Sequence, residues 1–484
     1  MLINKAYYLL KPYLPWSVRI RMRRARAQSK RKSAADVWPI DIRAGAIPPA
    51  WPGWPEGRRF AFVLTHDVEG ERGLSRIQRL MNLEQEQGFR SCFNLVPEGE
   101  YVVPDAVRSM LEERGFEVGV HGLEHDGKLY ESKPSFAAKA ARIRQYLHDW
   151  NAVGFRSPLM QHRLGWLHEL GTVYDASTFD TDPFEPEPDG VRTIFPFWVS
   201  CGKHEDGYVE LPYTVVQDFT LFIVLREKDN GIWKQKIDWI AERGGMVLMN
   251  THPDYMCFEG PHGKDEFSVS LYEDVLQYVK EKYEGQFWHA LPREVSRFYR
   301  ETIPAPLRNS RKKICIVGYE KDAGRFMRNH AAVLAQRGDQ VDVIALSEGD
   351  SPAKEEIDGV VVSRIRASAR THSLRKLQFR LRGAKLLTQR HHLNRYDVIH
   401  VFNSDHDLSP LAWYPRLTGT SVIVDDVRAL RAAESTELAE YLTRIDGLST
   451  EGFNRSDRFS FNRPYIGSSH AAELAAKTST GIEG

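Results

Sequence analysis

At 484 residues, with 42% hydrophobic and 27% charged side chains, the chain has the composition of ordinary globular protein and room for about three domains. Its 66 basic and 65 acidic residues exclude a whole-chain nucleic-acid binder, and long disordered or collagen-like readings fail on the same numbers. The charge is unevenly spread: residues 1–32 hold ten Lys/Arg and no Asp/Glu, which leaves the remainder acidic by nine charges.

Cys92, Cys201, Cys257 and Cys315 form no CxxC pair, which excludes a finger-type zinc site and fits a reducing compartment. No apolar run approaches the ~20 residues that span a bilayer; the best, Phe219 to Leu225, is far shorter. The Ala6–Leu10 stretch lacks a small-residue cleavage site, so it does not read as a signal peptide. A cytoplasmic protein is expected, with the inner membrane face as a peripheral alternative.

In chain order, residues 1–33 place Tyr7, Tyr8, Leu9, Leu10, Tyr13, Leu14 and Trp16 ahead of Arg19, Arg21, Arg23, Arg24 and Arg26. Such a basic arm suits a membrane-surface anchor, and a helix packed on the body is the competing reading. Residues 34–57, rich in Pro and Trp, read as an extended connector whose tryptophans pack on the next domain.

From about residue 58, strands and helices alternate. Strands are expected at Phe60–Thr65, Cys92–Val96, Glu117–His121 and Met246–Thr251. Helices are expected at Ser75–Gln87, Pro104–Glu113, Phe136–Trp150 and Tyr272–Tyr283. This alternation predicts a parallel α/β domain over 58–302, open or barrel. A linker at 303–310 leads to a second α/β unit over 311–484. Its expected strands are Lys313–Val317, Gln340–Leu346, Val360–Arg364, Val398–Phe402 and Ser421–Val424, with a helix at Gly324–Gln336.

Four polar clusters fall at expected strand ends of the first domain, where α/β folds carry their active face. In Thr65-His66-Asp67-Val68-Glu69, alternation points Asp67 and Glu69 the same way, a pair suited to one metal plus one general base. In His121-Gly-Leu-Glu-His125, histidines four apart on a helical turn reach one divalent ion. His252, in Thr251-His252-Pro253, can protonate a leaving amine as general acid. Arg156, in Arg156-Ser-Pro158, can hold a carboxylate by a bidentate contact.

Taken in order, these clusters resemble the polysaccharide deacetylase family (NodB-homology domains, carbohydrate esterase family 4) over about residues 58–300. The resemblance implies a distorted (β/α) barrel and metal-dependent removal of acetyl groups from amino sugars, with Zn²⁺ the expected ion. It makes His121 and His125 metal ligands, Asp67 the general base, Arg156 its brace and His252 the general acid. Asp175 corresponds to the residue that supports the acid histidine. Val68 stands where the family's second, metal-binding Asp belongs, and Glu69 substitutes for it by reaching one methylene further. Which of Asp67 and Glu69 binds the metal stays open.

The second unit resembles the N-terminal half of a GT-B glycosyltransferase, a Rossmann-like domain, and lacks GxGxxG. Donor binding in that family belongs to the other half, so glycosyl transfer by this unit alone is not expected. A truncated product or an interaction domain, served by a separate glycosyltransferase half, is the expectation. Asp180-Thr-Asp182 is set aside as a loop mimic of a DxD motif, and His391-His392 as solvated.

The function expected is a hydrolase that deacetylates a glycan or lipid-linked sugar. The alternatives are an amidase on a small amide and a non-catalytic glycan-binding module.

Overall fold

The computed structural model of the chain describes residues 16–48, 51–201, 203–304, 312–336, 339–347, 352–357, 360–366, 371–403 and 420–426. The aromatic residues before Trp16, most of the 303–310 linker and everything after residue 426 lie outside them.

The first unit is built on a nine-stranded sheet. Its centre is β1 (Phe60–Val68), which pairs on one edge with β8 (Met246–Thr251) and on the other with β2 (Cys92–Leu95) and β11 (Phe287–His289), while β9 (Met256–Cys257) and β10 (Phe267–Ser268) form a separate pair. Beyond β2 come β3 (Glu117–His121), β4 (Gly154–Arg156) and β5 (Tyr174–Asp175), all parallel. An antiparallel hairpin of β6 (Phe197–Cys201) and β7 (Lys203–Glu210) follows. Single bridges from Tyr213 to Phe179 and from Val215 to Met249 bring the far end back to β8. The result is a distorted barrel, closed irregularly.

Strand β1 shows why this chain folds so. Phe60, Phe62 and Leu64 face the surrounding helices, while Ala61 and Val63 fill the barrel interior. Both faces are buried, so the strand reads as a continuous apolar run, not an alternating one. Because the strands are parallel, all their C-terminal ends gather at one mouth.

Helix boundaries follow local chemistry. The helix after β1 runs from Glu71 to Gln87 and stops at Gly88 in the left-handed conformation, φ 84°. The helix Lys133–Asp149 starts at Ser132, whose side chain accepts the Ser135 N–H. The connector tryptophans pack on the barrel: Trp38 and Trp54 are buried, and Trp54 donates to the Gly244 carbonyl at 2.8 Å.

The second unit is a six-stranded sheet ordered β14-β15-β13-β12-β16-β17. Here β12 is Lys313–Tyr319, β13 Gln340–Ser347, β14 Lys354–Ile357, β15 Val360–Arg366, β16 Val398–Asn403 and β17 Ser421–Asp426. Five strands are parallel, and β14 adds an antiparallel edge. The arrangement is Rossmann-like. His391 and His392 lie within the helix His372–Asn394; His391 is buried with its ring accepting the Tyr396 N–H, which corrects the solvated reading for that residue, while His392 is exposed.

The units meet at Asp342 of β13. Its carboxylate lies 2.9 Å from Arg192, 3.5 Å from Arg43 and 3.8 Å from Arg390, and it accepts a hydrogen bond from Tyr396.

Candidate active site

Every candidate at the strand ends arrives at the barrel mouth except Asp175. Asp67 lies inside the barrel and is buried. Register pairs it with Asn94 on β2, whose amide donates to Oδ1 at 2.8 Å. Asn250, at the end of β8, donates to Oδ2 at 2.8 Å. Burial alone would raise this carboxyl's pKa. The charges of Arg156, His121 and His252 and the Asn250 hydrogen bond outweigh it and hold the value down at about 2. Asp67 is therefore an anion fixed by two amides.

Gly119 makes the Asn94 contact possible. A Cβ there would lie 2.2 Å from Asn94 Oδ1, so no larger residue lets the amide into place.

Glu69 stands one residue past β1. The Tyr255 hydroxyl donates to its Oε2 at 3.1 Å. Asp254 accepts the Glu69 N–H at 3.0 Å and the Gly73 N–H at 3.1 Å, fixing the loop where the next helix begins. Burial opposes ionisation of Glu69, but His125, then His252 and His121, drive its pKa far down.

His121 closes β3, and its Nδ1 sits 3.1 Å from the Arg156 carbonyl, which accepts from it. The chain then turns through Gly122 at φ 65° and His125 at φ 51°. The histidines thus meet through a left-handed loop, not the expected helical turn, with ring centroids 5.1 Å apart.

Both Nε2 atoms are buried without a hydrogen-bond partner among the described residues. His125 Nε2 lies 3.0 Å from Glu69 Oε1, close but not aligned as a hydrogen bond. One ligand atom from each of Glu69, His121 and His125 fits within 4.8 Å of the others. Two orphaned imidazole nitrogens and one carboxylate oxygen are a fitting donor set for a divalent ion. Burial lowers the His121 pKa to about 4, so its lone pair is free of a proton at neutral pH.

His252 faces this group from β8. Its Nε2 is 3.9 Å from Asp67 Oδ2 and 4.0 Å from Glu69 Oε1. The other ring nitrogen, Nδ1, is 2.6 Å from Asp218 Oδ1, and Asp218 Oδ2 accepts the His252 N–H at 2.8 Å. Burial would keep the ring neutral; Asp218, then Glu69 and Asp67, raise its pKa to about 10.

Two expectations are corrected here. Asp175 does not touch His252: it accepts from Ser177 N–H and Oγ at 3.1 and 2.7 Å, and burial raises its pKa. The carboxylate on His252 is Asp218. Arg156 makes no bidentate fork with Asp67. Its Nε stands 3.6 Å from Oδ1, and its buried guanidinium has no hydrogen-bond partner among the described residues.

His66 points the opposite way from Asp67, to the helix side. It bonds Glu84 at 2.7 Å and Thr251 at 2.8 Å, a structural role. The DxD mimic is consumed internally: Asp180 pairs with Lys236 at 2.6 Å, and Asp182 accepts from the Tyr213 hydroxyl.

Sequence reading missed Asp218, Asn94 and Asn250. The two asparagines carried a signal, an amide inside an otherwise apolar strand. Asp218 sits just before the apolar Phe219–Leu225 run, with no spacing relation to His252.

A cavity of about 420 Å³ opens over the group. Asp67, Glu69, His121, His125 and His252 form its floor, and Leu159, Met160, Phe184 and Phe219 are among its apolar walls. That size and lining suit a small organic ligand.

Comparison with known proteins follows the division into two units. The family model described as Glycosyltransferase Family 4 matches residues 323–424. No curated protein matches the chain. Among solved structures the chain is similar to one described as a polysaccharide deacetylase from Mycobacterium smegmatis, at 17% identity and a TM-score of 0.40, covering 53% of this chain and 95% of that one. A polysaccharide deacetylase involved in O-antigen biosynthesis from Bordetella bronchiseptica gives 18% identity and a TM-score of 0.29, with coverage of 53% and 87%. The chitin deacetylase of Colletotrichum lindemuthianum gives 12% identity and 0.32, with coverage of 51% and 92%. At this identity and overlap the likenesses assign no activity to this chain.

Proposed function

We propose that the barrel is a metal-dependent deacetylase of an N-acetylated amino sugar, in a glycan or a lipid-linked precursor. The observation that carries this reading is the placement of Asp67 and His252, 3.9 Å apart, beside the Glu69, His121 and His125 donor set. An ionised carboxylate and a protonated imidazole facing each other are a base and an acid held apart for opposite tasks.

Glu69, His121 and His125 would hold one divalent ion, Zn²⁺ by donor chemistry. An ion held there would supply Lewis acidity to the acyl carbonyl and to a water molecule. Asp67 takes the proton of the attacking water, and its two amide donors keep the carboxylate aimed while it does so. Arg156 stabilises the charge on Asp67 from a dry position. As the C–N bond breaks, His252 Nε2 gives its proton to the departing nitrogen. Asp218 fixes the ring so that Nε2, not Nδ1, faces the site. The products are acetate and a free amine.

On this reading Asp67 is the base and Glu69 the ligand, which the grouping of Glu69 with His121 and His125 supports. The second, glycosyltransferase-like unit is read as a docking or positioning domain for the sugar-bearing molecule.

The test is acetate release from an N-acetylated sugar by purified protein, before and after chelation and after zinc is restored. Release abolished by chelation and recovered with zinc supports the reading. Failure to release acetate from any such sugar while metal is bound refutes it.

A further inference from the structure

The helix Trp16–Ser33 lies over the cavity, and the residues it presents there are Arg19, Met22, Arg23, Arg26, Ala27 and Lys30. Their spacing of three and four places them on one helix face. A helix that only packs on a body turns an apolar stripe inward. This one buries Ile20 and Ala27 in the core and turns four cations, with Met22 among them, toward the space above the catalytic group.

Residues of that face and beside it hold the helix down. Arg24 donates to the Ile223 carbonyl at 3.0 Å, and Arg31 pairs with Glu227. The Arg23 guanidinium stands over the Phe219 ring, 5.6 Å from its centroid. Lys30 donates to the Pro183 carbonyl.

Like charges three and four residues apart destabilise a helix unless something offsets them. Burial, and then repulsion from Arg26, bring Lys30 down to about 8 against the pull of Asp182 and Glu185. Glu185 accepts from Tyr213 and Gln217 at 2.8 and 3.0 Å, and burial, with Asp182 beside it, raises its pKa to about 8. At neutral pH it is largely uncharged.

We propose that the substrate sugar carries an anionic group, a phosphate or a carboxylate, which binds beneath Arg19, Arg23, Arg26 and Lys30 while its N-acyl group reaches the floor of the cavity. The inference rests on the deacetylase reading and adds the substrate's charge. It gives the basic arm a role at the site itself. Arginines recognise both anions through paired N–H donors.

The test compares kcat/KM for acetate release from N-acetylglucosamine, its anomeric phosphate and N-acetylmuramic acid, in the zinc-loaded full chain. The expected result is a preference of about tenfold or more for at least one anionic sugar over the neutral one. Whichever anion is preferred identifies the group. In an Arg23→Gln/Arg26→Gln variant that preference is expected to shrink to about twofold or less, and an Arg23→Lys/Arg26→Lys variant should retain most of it. Equal or better turnover of the neutral sugar by the wild type, or an unchanged preference in the Gln variant, overturns the inference and leaves the deacetylase reading intact. If no sugar is turned over, calorimetric binding of inorganic pyrophosphate decides separately. Binding weakened about tenfold or more in the Gln variant supports the cationic face, and equal binding by wild type and variant removes it.

Discussion

Asp218 holds His252 twice, once through the ring and once through the backbone, at 2.6 and 2.8 Å. The two residues are 34 apart in sequence, on different elements, and the contact decides which imidazole nitrogen can act. The carboxylate also stabilises the imidazolium, the form needed to donate a proton.

Asp218→Asn should therefore lower the His252 pKa and move the alkaline limb of the pH–rate profile to lower pH. An accompanying loss of about a hundredfold in kcat is expected from the weakened acid. Asp175→Asn should leave the position of that limb in place. Full pH–rate profiles of the two variants are the check.

Gly119→Ala tests the support of Asp67 without touching it. The added methyl would meet Asn94 Oδ1 at 2.2 Å and push the amide from the carboxylate. Activity should fall about tenfold or more, because a misaimed base loses the benefit of positioning, while metal content stays near the wild-type level. Parallel assays of acetate release and bound metal separate those two effects.

The metal-free protein should become less stable as pH rises from about 6.5 to 10. His252 has a folded pKa near 10 against 6.5 unfolded, so its contribution is whole below 6.5 and lost as pH climbs through 10. Glu185, raised to about 8, and Glu117, raised to about 7, both mainly by burial, act in the same direction. Their folded forms also bind the proton more tightly than the unfolded chain. The depressed His121 works the other way between about 4 and 6.5, and Lys30, brought down to about 8 from 10.5, works the other way above 8. Melting temperature measured from pH 6.5 to 10 after chelation should fall, most clearly between about 6.5 and 8.

Asp342→Ala should loosen the join between the two units. The change takes that carboxylate from Arg192 and Arg390, while Arg43 keeps Asp41 at 2.5 Å. Breaking a buried pair this way costs about 3 kcal/mol or more. Unfolding should split into two transitions by calorimetry, with acetate release by the barrel unit surviving the first.

Much of this was legible in the sequence, for a local reason. Parallel strands buried on both faces give continuous apolar runs, and the residues just past them stand out: Asp67, Glu69, His121 and His252 were all found that way. Strand ends such as Glu117–His121 and Met246–Thr251 came out to the residue because a polar cluster follows each. The partners of those residues were harder. Asp218 reaches His252 through the irregular closure of the barrel, and no spacing rule connects them. Asp175 was assigned by resemblance, and its neighbours Ser177 and Glu210 keep it elsewhere. The basic arm posed a different problem. Its face pattern was visible, but what that face covers depends on how the helix lies across the barrel mouth.

On the proposed reading Glu69, His121 and His125 together hold one divalent ion. Elemental mass spectrometry on zinc-equilibrated wild-type protein and on His121→Ala measures this. About one zinc per wild-type chain and almost none in the variant is the expected result, by the coordination such a donor set supports. A folded wild-type protein that takes up no metal, or a variant that keeps it, would refute the site.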